Sequence, residues 1–238
     1  MRNVYHVARR ELNAYLASPI AYVVAAIYLA VLGGMSGFIL YYSREATMRY
    51  ALTHGVTLLF LVLVTQVLTM RLLADEQRQG TIELLLTSPV RDWEVVVGKY
   101  LASLGVFALM MLLSGYFPLV LTRIGDPDVP VILSGYLGFL LMGGALLAIG
   151  VFASSVTQNQ VVAAVLGMGI AILLWLSGAL TDFVSGGLRE IVAYVPIFDH
   201  YFDFVRGMID TRHIIYYLSV VVLFLFFSTR VLEARRWK

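Results

Sequence analysis

Cysteine is absent from this sequence, so neither a disulfide nor a thiolate metal site can be built from it. Charge is scarce as well. Only 13% of the 238 residues are charged, where about 25% is usual for a globular domain, while 60% are hydrophobic. A soluble chain of this length could not bury so much apolar surface, and the expected class is a polytopic membrane protein. The formal charge of +2 and the lack of any Lys/Arg cluster longer than a pair before the C-terminus give nucleic acid nothing to bind. The four histidines are dispersed, and Asp199, His200 and Asp203 read as a solvated face, not a metal site. A G-x-x-x-x-G-K-[ST] phosphate loop is also missing, since Gly98-Lys99 is followed by Tyr100. Catalytic, cofactor-binding and metal-ligating residues are therefore not expected in this chain.

What is present is a series of uncharged runs long enough to cross a bilayer core of about 30 Å. They place spans at 20–43, 51–73, 95–122, 131–154, 160–181 and 214–232. The fourth and fifth are separated within one uncharged stretch, 129–181, which is too long for a single span and whose only polar break is 154–160. Ahead of the first span, Val4, Ala8, Leu12 and Tyr15 recur at helical spacing, with Arg2, Arg9, Arg10 and Asn13 elsewhere around the wheel. This pattern suits a helix over 1–19 lying in the membrane interface, or one packed on its own protein. A signal peptide is not expected, because the following apolar run is too long. Small residues mark two helix-packing faces: Gly33 with Gly37, and Ala163 with Gly167 and Ala171.

The loops divide unequally. The N-terminus, the 74–94 loop, the 154–160 loop and the C-terminus hold, with their edges, eleven Lys/Arg, and the opposite loops hold six. Both termini are thus expected in the cytoplasm. Residues 182–213 then lie outside, too aromatic for a free loop and too polar to span. Pro196 and Gly207 should bound a helix there. Pro196, Phe198, Asp199, Phe202, Arg206 and Gly207 are candidates for an outer gate, or for a packed cap.

The most polar interior stretch, Arg71 to Lys99, carries nine charged residues between two spans. Gly80 breaks any helix continuing from the second span, and Thr81 can cap a new one. Glu83 then falls in its first turn, Ile82, Leu85 and Leu86 form an apolar face, and Ser88-Pro89 ends it. Asp92 is placed to cap the next helix. A short helix held crosswise between two spans makes a rigid knob.

The string EQRQGTIELLLTSPV, followed by VVVGKYL, resembles the cytoplasmic loop of type 2 ABC transporter permeases, the ABC-2 family. The matching positions are Glu76, Gly80, Thr81, Glu83, Leu84, Leu85, Pro89, Gly98 and Lys99. The resemblance extends along the chain and is nearest the gliding-motility (GldF-like) branch. It implies an all-α permease of six spans, with a coupling helix on which a separate ABC ATPase docks. It also implies two ATPase copies that hold ATP and Mg, and a second permease chain, identical or paralogous. The bacterial inner membrane, outward transport or mechanical work on envelope proteins, and an auxiliary envelope protein as partner belong to the same expectation. Glu76 and Arg78 would meet charges on the ATPase. Two other readings stand beside it. One is a motor-independent channel, disfavoured because no charge lies in a span core. The other is an intramembrane serine protease using Ser36 of the Gly34-Met35-Ser36-Gly37 string, with His54 as the nearest base.

Overall fold

Helices account for most of the described residues, as the long apolar runs require, because a backbone in lipid must satisfy its own hydrogen bonds. The computed structural model describes residues 2–43, 47–80, 90–125, 127–182 and 187–235. Among these there is no strand, and six helical segments are long and apolar enough to cross a membrane.

The chain opens with α1 (Arg2–Leu16) and the first span, α2 (Pro19–Ser43). A short α3 (Arg49–Thr53) precedes α4 (Gly55–Thr69), and after a turn comes α5 (Ala74–Arg78). The third span combines α6 (Asp92–Ser114) with α7 (Tyr116–Ile124), and the fourth is α8 (Val129–Val156). The fifth, α9 (Gln160–Leu176), runs into a 3-10 turn (Ser177–Asp182). Two short helices, α10 (Gly187–Tyr194) and α11 (Asp199–Val205), precede the sixth span, α12 (Thr211–Arg235).

The fourth span is the hub. Of its apolar stretch 78% is buried inside the chain, against 61% for the second span and 11% for the sixth. Its sequence explains the position, since small residues face outward in several directions. A Cβ at Gly138 would lie 2.6 Å from Phe204, one at Gly143 would collide with the Phe107 ring, and one at Gly150 would collide with Thr69. Such a helix lets neighbours approach on all sides, and a helix apolar all round belongs in an interior. Through its centre runs an aromatic line in which Tyr28 meets Phe107 edge-on, Phe107 stacks on Phe139, and Phe139 meets Tyr201.

The two small-residue faces fare differently. Ala163 and Ala171 are buried, and Gly167 abuts the side chain of Gln66. Gly33 is covered by Phe117, whereas a Cβ at Gly37 would meet nothing within 4 Å. Close approach on the first span is therefore made at Gly33.

α1 lies along its own third span. Asn3 donates to Glu94 (3.0 Å), a Cβ at Gly98 would sit 2.8 Å from Val7, and one at Gly105 would touch Leu12. Its apolar stripe is thereby taken up by α6. Tyr15 ends the stripe, buried, its hydroxyl donating to the Leu68 carbonyl. Arg9 and Arg10 stay exposed.

Candidate functional site

One short helix, α5, is tied to four others by polar side chains, and this belt sits at the end of the 74–94 connection. α4 stops at Thr69, and the turn through 70–73 leaves the first amides of α5 without partners on their own helix. Ser154, from α8, supplies them. Its hydroxyl accepts from the N–H groups of Leu73 and Ala74, both at 3.0 Å, and donates to the Met70 carbonyl. In return Gln77 donates to the Ser155 carbonyl (2.8 Å), satisfying an end of α8, and Gln160 at the start of α9 donates to Asp75.

The other side of α5 is ionic. The Lys99 ammonium, only 1% exposed, lies 2.8 Å from Glu76 and 2.9 Å from Glu11. Arg10 reaches the same two carboxylates, at 2.9 Å from Glu11 and 3.2 Å from Glu76. Among the described residues, two cations and two anions thus meet in a cluster that joins α1, α5 and α6. Burial pushes the Glu11 carboxyl up, but Lys99 and Arg10 together hold it below its ordinary range. Burial opposes the charge of Arg10 as well, and Glu11 and Glu76 outweigh it, raising its guanidinium further. A buried charge survives only when paired and hydrogen-bonded in this way.

Lys99, one of the positions that carry the family resemblance, directs its ammonium inward, and Glu76 is turned toward it. Gly98 beside it is the point at which α1 and α6 touch, because any side chain there would meet Val7 and the Val4 carbonyl. Asp92 does not cap α6. Arg91 occupies that place, its N–H donating to Glu94 (3.0 Å), a residue one turn into the helix.

Gly80 closes the belt with φ +70, a left-handed conformation that favours glycine and directs the chain out of α5. Thr81, Glu83, Leu84, Leu85 and Pro89 lie outside the described residues. Arg78, exposed, borders an open recess of about 800 Å³ with residues 156–161 and Arg235, which donates to the Val156 carbonyl.

At the opposite end, α11 forms a cap. It lies between Pro196 and Gly207, whose φ of +85 turns the chain away. Ile197, Phe198, Tyr201, Phe204 and Val205 are buried, and Ser134 of α8 donates to the Phe204 carbonyl. Of the expected gate residues, Pro196 and Phe198 are buried, while Asp199, Phe202 and Arg206 point outward. Tyr201 and Phe204, which plug the bundle, are not distinguished in the sequence from the interfacial aromatics beside them, Phe198 and Phe202.

Ser36 and His54 have separate tasks. The Ser36 hydroxyl donates to the Leu32 carbonyl (2.7 Å), and the His54 ring accepts from the Val56 N–H at the start of α4. The two are not hydrogen-bonded to each other, and no nucleophile–base pair is formed.

The family model for ABC-2 family transporter proteins matches residues 10–201, which takes in the whole belt and the first turn of α11. No curated protein matches the sequence.

Proposed function

The chain belongs to the ABC-2 transporter family and is a membrane subunit of an ABC transporter; we propose that a separate ATPase drives it through the belt around α5. The observation that carries this reading is the position of Lys99 between Glu11 and Glu76. A connection that transmits force must move with the helices it joins. Here the first turn of that connection is fastened by charge to α1 and α6, and by hydrogen bonds to α8 and α9.

In this reading the ATPase docks on 74–94, with Glu83 and the apolar Leu84 and Leu85 as its footing. Arg78, at the edge of the recess, meets an acidic group on it. ATP and Mg are held by two ATPase copies, and closure of that pair pushes the connection against the belt. The second and third spans then tilt against a second permease chain, identical or paralogous. The charge bias of the loops supports a bacterial inner-membrane orientation with both termini in the cytoplasm. The output is export, or mechanical work on an envelope component of the gliding-motility type.

Purification of the tagged chain from its native membrane in mild detergent tests this. A soluble ATPase bearing a phosphate loop should accompany it, and Glu83→Arg should remove that ATPase while the chain stays inserted. Absence of any such ATPase, or its full retention by Glu83→Arg, would overturn the docking assignment.

A further inference from the structure

Behind the cap, three titratable side chains form a line that crosses from α11 to α12. His200 Nε2 lies 3.0 Å from the Tyr194 carbonyl, and His200 Nδ1 lies 2.8 Å from His213 Nδ1. At the far end His213 Nε2 lies 2.9 Å from an Asp203 carboxylate oxygen. The His200 ring also stacks on Tyr216, with centroids 3.8 Å apart.

Hydrogen-bond accounting fixes the protons. A carbonyl only accepts, so His200 Nε2 carries a hydrogen, and a neutral His200 then presents a bare Nδ1. The facing Nδ1 of His213 must donate into it. A neutral His213 would consequently have a bare Nε2, and that nitrogen faces a carboxylate. One more proton completes the line, shared between His213 and Asp203. With it every contact is made and the three side chains carry no net charge. Without it two acceptors face each other. With a second proton, on His200, two N–H groups collide at 2.8 Å.

We infer that Asp203, His213 and His200 form a binding site for one shared proton, which latches α11 and the end of α10 to the start of α12. The latch holds while His200 is neutral and opens when His200 takes up a second proton.

The surroundings bear on the acid limit. On α11, Asp199 and Asp203 favour a charged His200, and Arg206 lies 3.4 Å from the other Asp203 oxygen. α12 contributes His213, Tyr216 and Tyr217 at the ring, with Asp210 and Arg212 at its first turn. α10 contributes the Tyr194 ring, edge-on. α8 has no charged residue, and the Arg49 and Tyr50 of α3, which packs on α11, are exposed. Burial is the largest influence and lowers the His200 pKa, assisted by His213 and opposed by the Tyr194 carbonyl and the two aspartates. A base with a lowered pKa contributes stability above its unfolded value, near 6.5, and loses it as pH falls through the folded value. Two pH-independent ties remain when the latch opens, the Tyr216 hydroxyl on the Val195 carbonyl and the Tyr217 hydroxyl on the Ile197 carbonyl. Opening is therefore confined to the outer edge of the cap.

Backbone hydrogen exchange over 194–205, corrected for its intrinsic pH dependence, tests the site. As pH falls from about 6.5 toward the lowered His200 value, protection should fall about tenfold per pH unit, the slope for one proton. His200→Gln, whose amide can both accept and donate, should abolish that slope. Flat protection in the wild-type chain, or an unchanged slope in His200→Gln, would overturn the inference. A second readout needs no variant at the site. The chain has four histidines, and His6→Gln with His54→Gln leaves only this pair in a nitrogen-15 spectrum. His200 should appear at pH 7.5 as the Nε2–H tautomer, and finding its proton on Nδ1 would contradict the latch.

Discussion

The two ends of the molecule are fastened by the same device with different chemistry. At the α5 belt, a lysine and an arginine sit between two glutamates, residue types whose ordinary pKa values lie outside the physiological range. At the cap, two histidines and an aspartate share a proton, and histidine changes charge within that range. The belt is thus a permanent joint and the cap a conditional one. A part that transmits force gains from rigidity at all times, whereas a closure at the membrane surface gains from being able to open.

The strongest way to break the comparison is to remove Lys99. Lys99→Ala leaves the partly buried Glu11 and Glu76 with Arg10 alone of the two cations, which should cost about 3 kcal/mol by denaturant or thermal unfolding in detergent. Lys99→Met combined with Glu11→Gln and Glu76→Gln should recover most of that loss. If Lys99→Ala is as stable as wild type, the belt is not a joint. Next in size is Gly98→Leu, which drives a side chain into Val7 and should cost about 1–3 kcal/mol by overpacking. It should also detach α1, read as proteolysis after Leu16. Ser154→Ala leaves the first amides of α5 without their acceptor and should cost about 1 kcal/mol, in the range of a lost helix cap.

The smallest effect separates the two ends by pH. His200 loses its contribution as pH falls below about 6.5, because its pKa is lowered and its neutral form is the bonded one. Glu11 also has a lowered pKa, but its charged form is the bonded one, so its contribution persists down to the carboxylate range and is lost only below it. Acidification should therefore release the cap before the belt, followed by hydrogen exchange over 194–205 and over 2–16. Simultaneous release would show that the two fastenings are one cooperative unit.

Much of this architecture is legible in the sequence, because lipid permits so few solutions. Uncharged runs mark the spans, Gly80 marks the end of α5, and Pro196 with Gly207 bracket α11. The stripe Val4, Ala8, Leu12 and Tyr15 identifies α1 as amphipathic. What it packs against is not legible, since an apolar stripe suits lipid and protein equally. Lys99 stands in a recognisable Gly-Lys pair, yet its partner Glu11 is 88 residues away, and nothing local connects them. Glu11 is nevertheless the one acid in a basic helix, a signal that it serves some cation beyond its own turn. Ser154 and Gln160 appear in the sequence only as a polar break, because hydroxyl and amide groups advertise no particular partner. The latch is hidden for a similar reason: His200 and His213 are 13 residues apart on different helices, and only the turn at Gly207 brings them together.

In the proposed mechanism the push of the ATPase reaches the spans through the belt, and the absence of native cysteine makes that motion directly measurable. Phe202→Cys places a single reactive thiol on the exposed side of the cap, and its rate of maleimide modification can be followed in the purified complex with its ATPase. Trapping the ATPase in its ATP-bound state should change that rate. Adding Lys99→Met should abolish the change while the ATPase still co-purifies, because the push would no longer reach the spans. A response to ATP that is as large in Lys99→Met as in the parent would contradict the account.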